Sequence, residues 1–260
     1  MKRTLAGTAT IIVPPLAFFA LVVGLWQAVT TIWEIPAYLV PSPARVWSAA
    51  REHAAELVRA TGLTAGGATA GFALSLAAGT ALGLVFSQSK IIERSVYPYA
   101  IFLQTVPIVA IAPLVVMWCG NGFGGVVAVA FILSLFPIIT NATAGLTSVD
   151  PQLLELFEVC NASRWQTLWK LRFPAALPFL FNGLKIATTL ALIGAIVAEF
   201  FGSPIVGMGF RISTAVGQLS LDLVWAEIAV AALAGSTFYG LVALVEKTVT
   251  FWHPSQRGRT

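Results

Sequence analysis

Hydrophobic and polar positions alternate along this chain in long blocks, not residue by residue. Six apolar stretches, at approximately 10–32, 63–87, 97–118, 125–146, 180–200 and 224–250, are separated by short polar segments. A helix that crosses the hydrocarbon of a bilayer needs about 20 apolar residues. Each stretch meets that length or comes within a few residues of it, so the pattern predicts an all-α, polytopic membrane helix bundle with six spans. Pro107, Pro113 and Pro137 fall inside predicted spans, where neighbouring helices can re-satisfy the backbone groups a proline frees. The first run, Thr10–Ile32, is too long for the apolar core of a signal peptide and no small-x-small site follows it, so it reads as an uncleaved first span.

The polar segments carry the organisation. Residues 1–62 read as the first span and an outer connection, 63–250 as the core with an inner loop at about 148–178, and 251–260 as a tail. In the connection, Pro36, Pro41 and Pro43 impose extended backbone. Ser42-Pro43 has the form of an N-cap with proline at the first helical position, predicting an amphipathic helix over Ala44–Ala60. A second outer segment, 201–223, carries Gly202, Gly207 and Gly209. Within the second span, Gly67, Gly71, Ser75, Gly79 and Gly83 recur every fourth residue and form one smooth ridge. The ridge suits ordinary packing within the chain and equally a helix that slides on its neighbour.

The inner loop is the most structured polar segment. Asp150-Pro151 opens a helix with a capping aspartate and proline behind it. Leu153, Leu154, Phe157 and Cys160 follow at helical spacing, with Glu155 and Glu158 on the other side. Asn161 can take the left-handed conformation that ends a helix. Ser163 caps a second helix carrying Trp165, Leu168 and Trp169 beside Arg164, Lys170 and Arg172; Pro174 and Pro178 are expected to end it. The product is a helix–turn–helix with apolar and basic faces. A helix resting on the lipid surface is the other reading of such a face.

Composition agrees with the bilayer. Of 260 residues, 58% are hydrophobic and 10% charged, against roughly a quarter charged in soluble domains. The net charge of +4 is modest and points to no nucleic-acid partner. Its distribution sets an orientation. Lys2, Arg3, Lys90, Arg94, Arg164, Lys170, Arg172, Lys185, Lys247, Arg257 and Arg259 fall in inner segments when the N-terminus is inside, leaving Arg45, Arg51, Arg59 and Arg211 outside. Cytoplasmic loops carry the excess of Lys and Arg, so both termini are expected in the cytoplasm. Cys119 and Cys160 then lie on opposite sides and form no disulfide.

Chemistry is sparse. The chain has no G-x-x-x-x-G-K-[ST] loop, no His/Cys metal cluster and no nucleophile elbow. His53 and His253 lie in polar flanks and read as solvent-exposed. Candidate pathway residues are the polar side chains in or beside spans three to five: Gln104, Thr105, Asn141, Thr143, Thr188, Thr189 and Glu199. Glu199 is the one acid among them. An acid at that depth faces a cavity or a partner; alternatively it lies at headgroup level or ties down Arg211.

The loop resembles the EAA motif of binding-protein-dependent ABC importer permeases. Glu155 matches the motif glutamate. Ala162, Ser163, Arg164 and Trp165 match the segment after its glycine, and Leu177-Pro178 and Gly183-Leu184 the later positions. Leu156 and Phe157 stand where the family has alanines, and Asn161 where it has glycine. Elsewhere LVPSPARVW, LQTVPIVAIAPLVVMW, FPIITNATAGLTSVDPQLLELF and AIVAEFFGSPIVGMGF are similar to the nitrate, sulfonate and taurine permease group and to its riboflavin and thiamine-precursor pyrimidine relatives. The resemblance implies the type I importer (MetI-like) permease fold in a bacterial inner membrane, as a two-fold dimer of this chain or with a sister permease. It implies ABC ATPase subunits that bind ATP and Mg, no cofactor in this chain, an extracytoplasmic solute-binding protein, and a coupling element at Glu155, Leu156, Phe157, Glu158 and Asn161–Trp165. The chain would catalyse no covalent change. The segments lie nearest the pyrimidine and riboflavin branch. The rivals are an ion-driven secondary transporter, which usually shows internal repeats, and an intramembrane enzyme, which would need convergent acid, base, nucleophile or metal ligands within the spans, where Glu199 is the candidate.

Overall fold

A computed structural model describes residues 2–89, 91, 94–95, 98, 105–201 and 206–251, with side chains from residue 13 onward. No strand occurs among them. The helices are α1 (Lys2–Ile32), α2 (Pro43–Glu52), α3 (Ala54–Gln88), α4 (Ile108–Cys119), α5 (Phe123–Thr147), α6 (Pro151–Val159), α7 (Arg164–Phe200), α8 (Met208–Gly217) and α9 (Leu221–Val249). Five of these, α1, α3, α5, α7 and α9, are long and apolar enough to cross a membrane, and α4 is a shorter apolar helix. This is the all-α architecture of a polytopic membrane protein. The chain divides into two compact units, residues 1–58 with 211–230, and residues 59–210 with 231–260.

The larger unit is built on α5. The ridge of α3 lies along it in a fixed register. A Cβ added at Gly67 would stand 2.6 Å from Val126, at Gly71 2.6 Å from Ala130, at Gly79 2.8 Å from Ile138, and at Gly83 2.6 Å from Ala142. Each partner lies 59 positions further along the chain, so the two helices run parallel. Midway, Ser75 Oγ donates to the Phe131 carbonyl at 2.8 Å and lies 2.7 Å from Ser134 Oγ. On another side of α5 runs α7, antiparallel. Gly145 meets Ala176 and Phe179, Gly183 meets Asn141 and the Pro137 carbonyl, and Gly194 meets the backbone of Val129 and Ala130. With no hydrophobic drive between helices in lipid, close van der Waals approach at small residues holds such a bundle. Phe72, Val129, Ile138, Ala187 and Ala191 belong to the core these contacts enclose.

α4 returns to α5 through Gly120-Asn121-Gly122. Gly120 has φ 92°, a conformation open chiefly to glycine. Close by, the Gly120 carbonyl would lie 2.7 Å from a Cβ at Gly125. On the opposite flank, Lys185 Nζ donates to Glu246 Oε2 at 2.7 Å, joining α7 to α9.

Several boundaries differ from the sequence reading. The third span was expected over 97–118; part of it lies outside the described residues, and the rest is broken at Pro107, which caps α4 instead of bending a helix. Proline removes a donor and disfavours helix at the residue before it. The amphipathic helix expected over 44–60 ends at Glu52, and α3 begins at Ala54. The Ser42 cap does form, with its Oγ accepting from Arg45 N at 3.4 Å. The largest correction concerns Pro174 and Pro178, which end nothing. A π-turn at Leu168–Arg172 precedes them, with the Phe173 amide donating to the Leu168 carbonyl. A proline ring clashes with the carbonyl four residues back; the wider turn gives the ring at 174 room. The fifth span therefore starts at Arg164, and Lys185, assigned to an inner loop, sits within the helix.

The α3–α5 register makes a direct stability prediction. Gly71→Val should lower the thermal midpoint of the solubilised protein, by the equivalent of about 1–3 kcal/mol for overpacking. Gly66→Ala, one position off the ridge and 3.9 Å from the Phe123 ring, should leave the midpoint unchanged.

Candidate functional site

The 150–165 loop is a capped helix–turn–helix. Asp150 Oδ1 accepts from Gln152 N at 2.9 Å to start α6. At its end, the Asn161 amide donates to the Glu158 carbonyl and the Ala162 amide to the Phe157 carbonyl, both at 2.9 Å. This pair of bonds closes a helix through a left-handed residue, and Asn161 has φ 52°. Ser163 then caps α7 reciprocally with Gln166. Its Oγ accepts from Gln166 N at 3.3 Å, and Gln166 Oε1 accepts from Ser163 N at 2.8 Å. Bonds within a few residues therefore define the turn.

The surface of this element is unusual. No residue of α6 is buried. Leu156 is 54% exposed, Val159 81% and Trp165 69%. Glu155, Glu158, Asn161, Ser163 and Arg164 are exposed, while Phe157 and Ala162 are half-buried. Glu158, Ala162 and Arg164 border a polar hollow of about 470 Å³ that the end of α3 closes with Ser87 and Gln88. The arrangement presents apolar and charged side chains together on a preformed knob, which suits docking.

The candidate pathway residues do not meet at one place. Gln104 lies outside the described residues, and Thr105 and Thr189 are exposed. Thr188 and Thr143 are buried, and the Thr188 hydroxyl donates to the Lys185 carbonyl of its own helix at 2.7 Å. Asn141 donates to the Pro137 carbonyl at 2.9 Å and accepts from Asn182 Nδ2 at 3.1 Å. Its partner level on α7 is Gly183, about 24 Å of helix from Glu199.

Of the readings offered for Glu199, the structure shows an acid facing protein partners. It is fully buried. Its Oε2 accepts from Thr64 Oγ1 at 2.8 Å and from the Gly209 amide at 3.0 Å, and Thr64 Oγ1 accepts from the Met208 amide at 2.9 Å. Sequence reasoning missed Thr64, whose one signal is a lone hydroxyl just before the glycine ridge.

Arg211 pairs elsewhere, in the smaller unit. Its Nε donates to Glu227 Oε1 and its Nη1 to Glu56 Oε2, the latter at 2.6 Å, and His53 lies 3.5 Å from Glu56. Burial would lower the Arg211 pKa, but the hydrogen bonds to Glu227 and Glu56 outweigh it and hold it above its ordinary value. Glu227, an acid near the start of the sixth span that the sequence reading passed over, is fully buried. Removing one partner of a buried ion pair strands the other. Arg211→Leu should therefore destabilise the protein strongly, by about 3–5 kcal/mol, and Arg211→Leu with Glu227→Leu should recover most of the loss, read as thermal midpoints.

Comparison with known proteins bears on this geometry. Residues 71–251 match the family described as binding-protein-dependent transport system inner membrane component. The chain is 34% identical to a riboflavin transport system permease protein of Chloroflexus aurantiacus over 90% of this chain and 88% of that one. It is 33% identical to a formylaminopyrimidine transport permease protein of Halalkalibacterium halodurans, covering 93% and 96%. A putative aliphatic sulfonates transport permease protein of Bacillus subtilis is 28% identical, covering 92% and 87%. On the family match across its core and on these near full-length relatives, the chain belongs to the inner-membrane permease family of binding-protein-dependent ABC importers.

Proposed function

We propose that this chain forms the translocation pathway of an ATP-driven importer, with both termini in the cytoplasm, and that the 150–165 knob docks into a partner ATPase. The observation that carries the docking reading is the exposure of Leu156, Val159 and Trp165 on a helix–turn–helix fixed by its own caps. Large apolar side chains on a rigid polar element call for a protein cover. Glu155 and Glu158 beside Arg164 would set its register through charge. Leu156 and Phe157 fill more space than the alanines of related loops, so the receiving cleft is wider.

The solute would arrive from an extracytoplasmic binding protein, and a second permease copy or a sister permease would complete the pathway. A small heteroaromatic solute of the pyrimidine or flavin kind is favoured. The support is that the two more identical relatives named above are permease proteins for riboflavin and formylaminopyrimidine transport. ATP and Mg would bind the partner, whose closure and reopening would move the knob and alternate the access of the pathway.

Purification of the chain from its native membrane in mild detergent, with mass spectrometry of what accompanies it, tests the reading. A stoichiometric P-loop ATPase is expected, and its loss is expected on altering Glu155–Trp165. Recovery of the chain alone, with gradient-driven uptake in vesicles, would instead point to a secondary carrier. Within the assembled complex, Glu155→Lys and Asn161→Pro should uncouple ATP hydrolysis from uptake of the binding protein's solute by tenfold or more, while the spans insert normally.

A further inference from the structure

Helix α7 is uninterrupted from Arg164, beside the Ser163 cap, to Phe200. The π-turn widens it without breaking it. It thus carries the docking knob at one end and Glu199 near the other, roughly 50 Å away. We infer that Glu199 is a positioning residue that ties the far end of this helix to the Gly207–Gly209 turn, so that motion delivered at the knob reaches the outer mouth through one rigid element. This rests on the importer reading above.

The geometry of the tie is specific. Met208 and Gly209 open α8, where backbone amides have no partner within the helix. Thr64 takes one of these amides and the Glu199 carboxylate takes the other. A carboxylate at a helix N-terminus is also favoured by the helix dipole. The two glycines are shaped to it. A Cβ at Gly207 would fall on the Glu199 carboxylate, and one at Gly209 on the Ile196 carbonyl. A carboxylate that is fully buried and turned to backbone and hydroxyl donors acts here by accepting hydrogen bonds. That role is distinct from presenting charge to a solute. Glutamine keeps a carbonyl acceptor at that place and alanine does not, which separates the two roles.

Two measurements test the inference. The first is amide exchange of the 206–210 segment in the chain alone, in nanodiscs. Glu199→Ala should speed exchange at Met208 and Gly209 at least tenfold, and Glu199→Gln should stay within threefold of wild type. Gly207→Ala should mimic Glu199→Ala and add nothing to it, because both displace the same carboxylate. Unchanged exchange in Glu199→Ala, or equal loss in Glu199→Gln, overturns the tie.

The second reads the lever. Val206, 51% exposed, is replaced by cysteine after the exposed Cys119 and Cys160 are changed to serine. Its labelling by a membrane-impermeant maleimide is followed in the complex with the ATPase, nucleotide-free and vanadate-trapped. Wild type and Glu199→Gln should differ at least fivefold between the two states. Glu199→Ala should label fast in both. A nucleotide response retained in Glu199→Ala, or none in wild type, overturns the lever. If no ATPase assembles with the chain, the importer reading falls, and amide exchange still decides the tie.

Discussion

The close approach of two helices to α5 is the constraint on which the larger unit depends. Along one side α3 runs parallel, its small ridge against Val126, Ala130, Ser134, Ile138 and Ala142. Along another, α7 runs antiparallel, with glycine on one helix or the other at each near contact. Lipid is as apolar as the side chains it would replace, so contact area alone drives little association. Backbones that approach to the limit gain dispersion that lipid tails cannot match. Along α3 the near contacts fall on one four-residue spacing, which fixes rotation and register together. One extra methyl on that seam meets backbone or a branched side chain with nowhere to move.

In the proposed reading, the two ends of α7 carry the function. One end is held by local chemistry, a reciprocal Ser163–Gln166 cap and a left-handed Asn161. It presents Leu156, Val159 and Trp165 uncovered. The other end is held by tertiary chemistry, a buried carboxylate gripping backbone amides from a later segment. A helix packed along its length against α5 transmits displacement better than a chain of loops. The π-turn lies between knob and seam, where a wider turn lets Pro174 stay within the helix.

Charge is used sparingly, and the described ion pairs are structural. Lys185, within α7, pairs with Glu246 in the last turn of α9. Arg211 between Glu227 and Glu56 gathers three charged groups at the start of the smaller unit's helices. Against the effect of burial, the hydrogen bonds to Glu227 and Glu56 hold the Arg211 pKa above its ordinary value.

Sequence by itself determined the class of the protein and the local elements. Apolar block length sets the spans, because hydrocarbon thickness sets a minimum run. Asp150-Pro151, Ser163 and Asn161 mark the knob, because caps and left-handed turns are decided by bonds within a few residues. The four-residue glycine spacing marked a packing face but not its partner. Only the tertiary structure decided that α5 is the partner, that Pro174 continues a helix and Pro107 does not, and that Glu199 meets Thr64 and Gly209 while Arg211 meets Glu227. Those outcomes depend on which segments lie side by side. A proline or a buried acid settles according to the donors and acceptors its neighbours supply, and these come from residues far away in the chain.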